Sequence, residues 1–235
     1  MTENQNGFKK DYFLPLSILV AAVLIGASVI YSTGVKTVGR DQAADLGNIA
    51  GAALTNEQLI DDDIILGDPE APVTIVEFGD YQCPFCGRFF SQTESQIKKD
   101  YVQTGKVKMV YRDFAFLGPE SKTAALAAQC AGEQDKYWVF HDRLFEIEVA
   151  DGVEHNGNLS VSLMKSLAKE SGLNQVQFNA CFDSGKYNAE IEKDYNDGVA
   201  AGVAGTPATF VNGKLVEGAQ PYSVFKDLIE AALNK

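Results

Sequence analysis

Residues 73–89 read VTIVEFGDYQCPFCGRF. The first six, VTIVEF, are rich in β-branched residues and have the pattern of a buried strand. After a short turn, Cys83-Pro84-Phe85-Cys86 opens a stretch in which apolar residues recur at helical spacing to about Tyr101. Phe89, Phe90 and Ile97 are expected on one side of that helix. Two cysteines at a strand–helix junction can be half of a metal site, a structural brace or a redox pair. A structural zinc takes four ligands, but there is no second Cys-x-x-Cys, and His141 and His155 lie far off without ligand spacing. No metal is expected. A Cys-x-x-Cys ring closes almost no loop entropy, which disfavours a brace. The redox reading fits the position. At the first turn of a helix, unpaired N–H groups and the helix dipole stabilise a thiolate at Cys83 and lower its pKa. Such a thiolate attacks disulfides and also leaves readily. Cys86, one turn further in, is expected to be buried and to act as the resolving thiol. Pro84 suits a first turn, where its missing N–H costs nothing.

Outward from this stretch, Gly105 ends the helix and residues 107–111 (VKMVY) form a second strand. Strand, helix, strand in this order is a βαβ unit with a parallel pairing. Near the C-terminus, ATFV (208–211) and KLVE (214–217) flank Asn212-Gly213, the strongest short hairpin signal. Pro221 opens a last helix to about Leu233. Between the halves lies a long helical block. It comprises an Ala-rich helix over 121–133, the only Trp in 136–145, helices capped by Ser160 and Asn174, and one over about 187–201. The fold class is α/β, a small sheet domain over residues 59–235 with a helical insertion at about 115–201.

The 235-residue chain is 46% hydrophobic and 22% charged, an ordinary globular balance, with formal net charge -12. Such acidity excludes nucleic acid as a natural partner. Residues 13–31 (FLPLSILVAAVLIGASVIY) carry no charge and are just long enough to cross a bilayer as a helix. Lys9 and Lys10 precede them, which places a cytoplasmic tail at 1–12 and the rest outside. A cleaved signal peptide is the alternative, since small residues stand at 26–28 and 32–34. Both readings export the remainder, and residues 32–58 read as a linker. The expected location is the plasma membrane, single-pass, with the main domain extracytoplasmic.

The CPFC stretch after VTIVEF, the tail GVAGTPATFVNGKLVEGAQPY and the block FLGPESKTAALAAQCAGEQDKYWVFHDRLFE together resemble the DsbA-type thiol:disulfide oxidoreductases of the thioredoxin superfamily, especially the membrane-anchored or secreted BdbD-like group. The resemblance covers about residues 59–235 and implies a thioredoxin fold with an inserted helical subdomain. It implies that Pro207 is a cis-proline facing the cysteines and that Thr206 offers its backbone to an extended substrate peptide. It puts Glu77 at the position of a buried acid that exchanges a proton with Cys86, although alternation alone leaves open a solvated strand face. Phe85 departs from the His that strong oxidases of the family often carry there. It can offer the Cys83 thiolate neither a hydrogen bond nor a positive charge, so a weaker oxidant is expected.

In an exported chain, Cys130 and Cys181 are expected to form a structural disulfide; a second redox pair and unpaired buried thiols are the alternatives. His141, among Trp138, Phe140 and Leu144, reads as a packed core residue. The function expected is a dithiol oxidase for unfolded exported proteins. It needs no cofactor, acts as a monomer, and by family analogy is reoxidised by a quinone-linked membrane protein of the DsbB or VKOR type. A reductase or isomerase using the same site, and a non-catalytic peptide-binding module, are the competing readings.

Overall fold

A computed structural model describes residues 55–151, 153 and 156–234. Residues 13–31, most of the expected linker and His155 lie outside these. Among the described residues no helix is long and apolar enough to cross a membrane. The first element, α1 (Asn56–Ile60), starts inside the segment read as linker. The Thr55 hydroxyl and the Gln58 side chain cap each other's backbone there, and Leu59 is buried.

Strand β1 (Val73–Gly79) lies at the heart of a four-stranded sheet, with every residue buried. It pairs in parallel with β2 (Val107–Asp113) and antiparallel with β3 (Ala208–Val211). β3 in turn pairs with β4 (Lys214–Glu217) through a hairpin in which Asn212 and Gly213 both have positive φ, as a two-residue type I′ turn requires. The sheet order is β2-β1-β3-β4.

Helix α2 crosses one face of the sheet. It begins at Pro84–Phe89, passes through a π-turn at Phe90–Glu94, an α-helical piece at Ser95–Ile97, and a second π-turn at Lys98–Val102. Its apolar residues divide between two layers. Phe89 and Ile97 pack with Val73 and Ile75 of β1 and with Phe225 and Ile229 of α8 (Tyr222–Leu233). Phe90 instead stacks on Phe145 on the helical side. The three are therefore not on one side, because α2 is sandwiched and successive residues turn about 100° apart.

The helices α3 (Pro119–Gly132), α4 (Tyr137–Asp151), α5 (Val161–Glu170), α6 (Gln175–Ser184) and α7 (Asn188–Ala200) lie between β2 and β3. In α3, Ala124, Ala125, Ala127, Ala128 and Ala131 are all buried, so α3 is the central rod of this layer. On the sheet face away from α2, the buried Arg112 donates to Asp194 Oδ1 at 2.8 Å and to Asp197 Oδ2 at 2.8 Å, tying α7 to β2.

Cys130 on α3 and Cys181 on α6 are joined by a disulfide, with Cα atoms 5.8 Å apart and a sequence separation of 51. Closing a loop of this length stabilises the native state by up to about 4 kcal/mol. Replacing both cysteines by Ala is expected to lower the unfolding free energy by up to that amount. Urea denaturation of the oxidised chain checks this; an unmoved midpoint means that the bridge braces nothing.

Candidate active site

The chain leaves β1 through a turn held by Asp80. One carboxylate oxygen of this buried residue accepts from the Gln82 N–H at 2.9 Å, and the other from the Phe116 and Leu117 N–H groups, both at 3.0 Å. The Asp80 carbonyl accepts from the Cys83 N–H at 3.0 Å. Gln82 Nε2 donates to Ser121 Oγ on α3 at 2.9 Å. The turn is thus tied both to the β2–α3 loop and to the insert, and it delivers Cys83 to the N-cap of α2 in extended conformation with Pro84 in the first turn.

Cys83 and Cys86 are free thiols. Cys83 is 5% exposed and Cys86 is fully buried. The Thr206–Pro207 peptide bond is cis, and the Thr206 carbonyl lies 3.5 Å from Cys83 Sγ. Pro207 is buried beside it, while Phe85 is 54% exposed at the tip, with the Arg88 guanidinium 4.9 Å over its ring.

The two sulfurs differ chemically. A hydrogen bond from the Cys86 thiol pulls the Cys83 pKa down to about 6. Burial opposes this, and the backbone N–H groups of Cys86 and Phe85 add to the lowering. The Cys86 pKa is driven well above the ordinary thiol value, first by burial and then by its neighbour Cys83.

Alternation along β1 decides the face of Glu77. It shares a face with Val73 and Ile75, which pack against α2, so it lies under that helix and is only 2% exposed. In register, Glu77 stands between Tyr111 of β2 and Thr209 of β3. Glu77 Oε1, the Tyr111 hydroxyl and the Thr209 hydroxyl are all buried without hydrogen-bond partners. Burial raises the Glu77 pKa well above the carboxylate range; Glu94 and Cys83 add to it and Lys98 opposes it.

Of the residues singled out from the sequence, Cys83, Pro84, Cys86, Thr206, Pro207 and Glu77 thus converge on one place, with Phe85 at its edge. Cys130 and Cys181 lie in the helical layer, and His141 is buried against Tyr81, Tyr111 and Phe145. Sequence reasoning missed Asp80, Glu94, Lys98 and Tyr111. Only Asp80 carried a signal, an Asp opening a tight turn three residues before the cysteine. A groove of about 670 Å³ lies between the β2–α3 loop and α7 and does not include the cysteines.

Residues 60–231 match the family model described as Thioredoxin. Disulfide bond formation protein D of Bacillus subtilis (strain 168) is 32% identical over 184 residues, 77% of this chain and 82% of that protein. A probable disulfide bond formation protein D of Bacillus cereus is 28% identical over 233 residues, 97% of this chain and 100% of that protein. The crystal structure of oxidised BdbD from Bacillus subtilis superposes with a TM-score of 0.71 at 31% identity, over 79% of this chain and 100% of that one. The paired thiols of unequal acidity beside a cis-proline stand on a scaffold shared with these proteins, and the chain belongs to the thioredoxin family as a BdbD-like, DsbA-type thiol:disulfide oxidoreductase.

Proposed function

We propose that this oxidoreductase is a dithiol oxidase that introduces disulfides into unfolded exported proteins. The observation that carries the reading is the asymmetry of the thiols: Cys83 is pulled down to about 6 while Cys86 is buried and pushed up. A Cys83 thiolate that is stable at neutral pH favours the reduced enzyme, which makes its disulfide the stronger oxidant. Phe85 adds no charge or donor to that thiolate, so the oxidant is weaker than relatives with His at this position.

In the cycle, a substrate thiolate attacks the Cys83 sulfur of the enzyme disulfide. The Cys83–Cys86 bond breaks, its electron pair leaves on Cys86, and Cys86 takes a proton from Glu77. A second substrate thiol then loses its proton to solvent and attacks the substrate sulfur of the mixed disulfide. That bond breaks and Cys83 leaves as a thiolate. The substrate has lost two electrons and gained one S–S bond; the enzyme holds them as a Cys83 thiolate and a Cys86 thiol. The Thr206 backbone beside Cys83 aligns the substrate as an added strand.

The reduced enzyme passes its electrons to a quinone-linked membrane protein of the DsbB or VKOR type. Residues 13–31 anchor the monomer beside that partner, with the N-terminus cytoplasmic and residues from about 35 onward outside. Lys9 and Lys10 before the apolar segment support this orientation, and the buried Cys130–Cys181 disulfide supports an oxidising compartment.

The first test is the reduction potential of Cys83–Cys86, measured on the full chain in detergent against glutathione buffers. An oxidase is expected above about −200 mV; a value near about −270 mV reverses the direction. Alkylation of Cys83 in the reduced chain is expected to rise with pH through a midpoint near 6. Because this pKa is depressed only in the native state, the thiolate's contribution to stability is complete above an unfolded thiol's pKa of about 8.5 and is lost as pH falls through 6. An alkylation midpoint near about 8.5 removes the argument. Glu77→Gln is expected to slow the step that protonates Cys86 by roughly a hundredfold while leaving the urea midpoint in place; stopped-flow reduction by dithiothreitol reads it, and an unchanged rate ends the proton-donor role.

A further inference from the structure

A carboxyl that gives a proton to Cys86 in every cycle must recover it, yet Glu77 is shut from solvent beneath α2. The helix itself supplies a route. Cys86, Phe90, Glu94 and Lys98 follow at intervals of four. In a regular α-helix each such step drifts about 40°, carrying Lys98 roughly 120° away from the line of Cys86. The π-turn Phe90–Glu94 takes more residues per turn and offsets that drift. Glu94 is accordingly buried, and Lys98 lies between helices: its Nζ is 2.6 Å from Glu94 Oε1 and 2.7 Å from Asp142 Oδ1 on α4. The Asp142 side chain is 42% exposed and accepts or shares a hydrogen with His141 Nδ1 at 3.0 Å.

The link back to Glu77 runs through the aromatic layer. Tyr111 is the register neighbour of Glu77; the His141 ring sits 4.8 Å from the Tyr111 ring, and a His141 nitrogen lies within 4.8 Å of a Glu94 oxygen. Five buried polar atoms along this line have no hydrogen-bond partner: Glu77 Oε1, the Tyr111 hydroxyl, His141 Nε2 and both carboxylate oxygens of Glu94, of which Oε1 is ion-paired with Lys98. Glu94 is also the charge that acts most strongly on Glu77. Glu94, His141 and Asp142 have the separations of a metal-ligand set, but the Lys98 ammonium already stands where a cation would stand.

We propose that Glu94, Lys98 and Asp142 form the proton outlet of Glu77, joining the buried carboxyl beneath the cysteines to solvent at α4. When Glu77 has protonated Cys86 it is left as a carboxylate. The Lys98 ammonium gives a proton to the Glu94 carboxylate, Glu94 hands that proton on to Glu77, and Lys98 is reprotonated from water at Asp142. No electron moves, and the net event is one proton entering from solvent. The groups that face this route are Cys83, Cys86, Glu94 and Lys98 of α2, Tyr81 of the preceding turn, Tyr111 of β2, and His141 and Asp142 of α4. Burial opposes the charge on Lys98, but Glu94 and Asp142 outweigh it and raise its pKa, so the ammonium stays loaded. Glu94, Lys98 and Asp142 touch no reacting sulfur; they act through Glu77, and the inference rests on the proton-donor role proposed for it.

The test follows repeated turnover of the full chain, with dithiothreitol as reductant and glutathione disulfide as oxidant, from pH 5 to 9, because only repeated turnover makes Glu77 recover its proton, and the reaction proceeds whichever direction the enzyme runs in its cell. Lys98→Met is expected to slow turnover by roughly tenfold or more, alter its pH profile and raise its solvent deuterium isotope effect. Lys98→Arg keeps the charge but cannot release a proton, so it is expected to stay slow, and the Cys83 alkylation midpoint is expected to stay near 6 in both. Asp142→Asn, at the exposed end where folding tolerates change, is expected to alter the same pH profile in the same sense. Glu77→Gln combined with Lys98→Met should be no slower than Glu77→Gln alone, because both act on one path. If Glu77→Gln slows turnover but Lys98→Met and Asp142→Asn leave profile and isotope effect unchanged, the outlet is wrong and the donor stands. Additive losses in the double variant also overturn it. If Glu77→Gln has no effect, donor and outlet fall together.

Discussion

Burial of β1 on both faces is the constraint on which the site depends. A strand with no solvent face has no neutral place for a polar side chain, so Glu77 must be enclosed wherever it points. It points under α2, and the strand's C-terminal end must then pass directly from the interior into the N-terminus of that helix. The Asp80 carboxylate makes the passage possible by satisfying three backbone N–H groups of the turn and the following loop. Cys83 is placed at the helix end by this chain of requirements. Its acidity follows from position, since the Cys86 thiol and the free N–H groups of the first turn converge on one sulfur.

The two faces of the sheet carry buried charge in different ways. Away from α2, Arg112 is enclosed by Asp63, Asp194 and Asp197, with Asp63 Oδ2 3.0 Å away. This knot locks α7 and the segment after α1 against β2, and removing one member would strand the others in the interior. Beside it, burial and Asp194 push the Asp113 pKa up to about 8, so that its carboxyl adds little negative charge at neutral pH. On the α2 face Glu94 and Asp142 share one ammonium, that of Lys98, and Asp142 reaches the surface. The first arrangement holds position; the second has a path to solvent.

What the sequence made legible was local. VTIVEF, the Cys-Pro-Phe-Cys turn and the Asn212-Gly213 hairpin are each decided within a few residues by side-chain branching, helix-end chemistry and positive φ. The ambiguity over Glu77 could not be settled locally, because the opposite face of β1 is covered by Leu59 of α1 and Val203 after α7, both outside the strand–helix–strand unit. Glu94 and Lys98 have the spacing of an ordinary solvated ion pair along a helix. Only α4, which brings Asp142 in from 44 positions away, makes them interior. The π-turns leave no composition signal, and the same sandwiching of α2 sends Phe89 and Phe90 into different layers.

The bridge between α3 and α6 imposes an order of events on the chain's own maturation. Cys130 is fully enclosed and Cys181 nearly so in the finished domain. Both sulfurs are most accessible while the helical layer is still open, before the alanine faces of α3 have met their neighbours. At that moment the new polypeptide is itself an unfolded dithiol, the kind of molecule that a completed copy is proposed to oxidise. Mature copies would then speed the production of further mature copies, and the supply of active protein would depend on how much is already present.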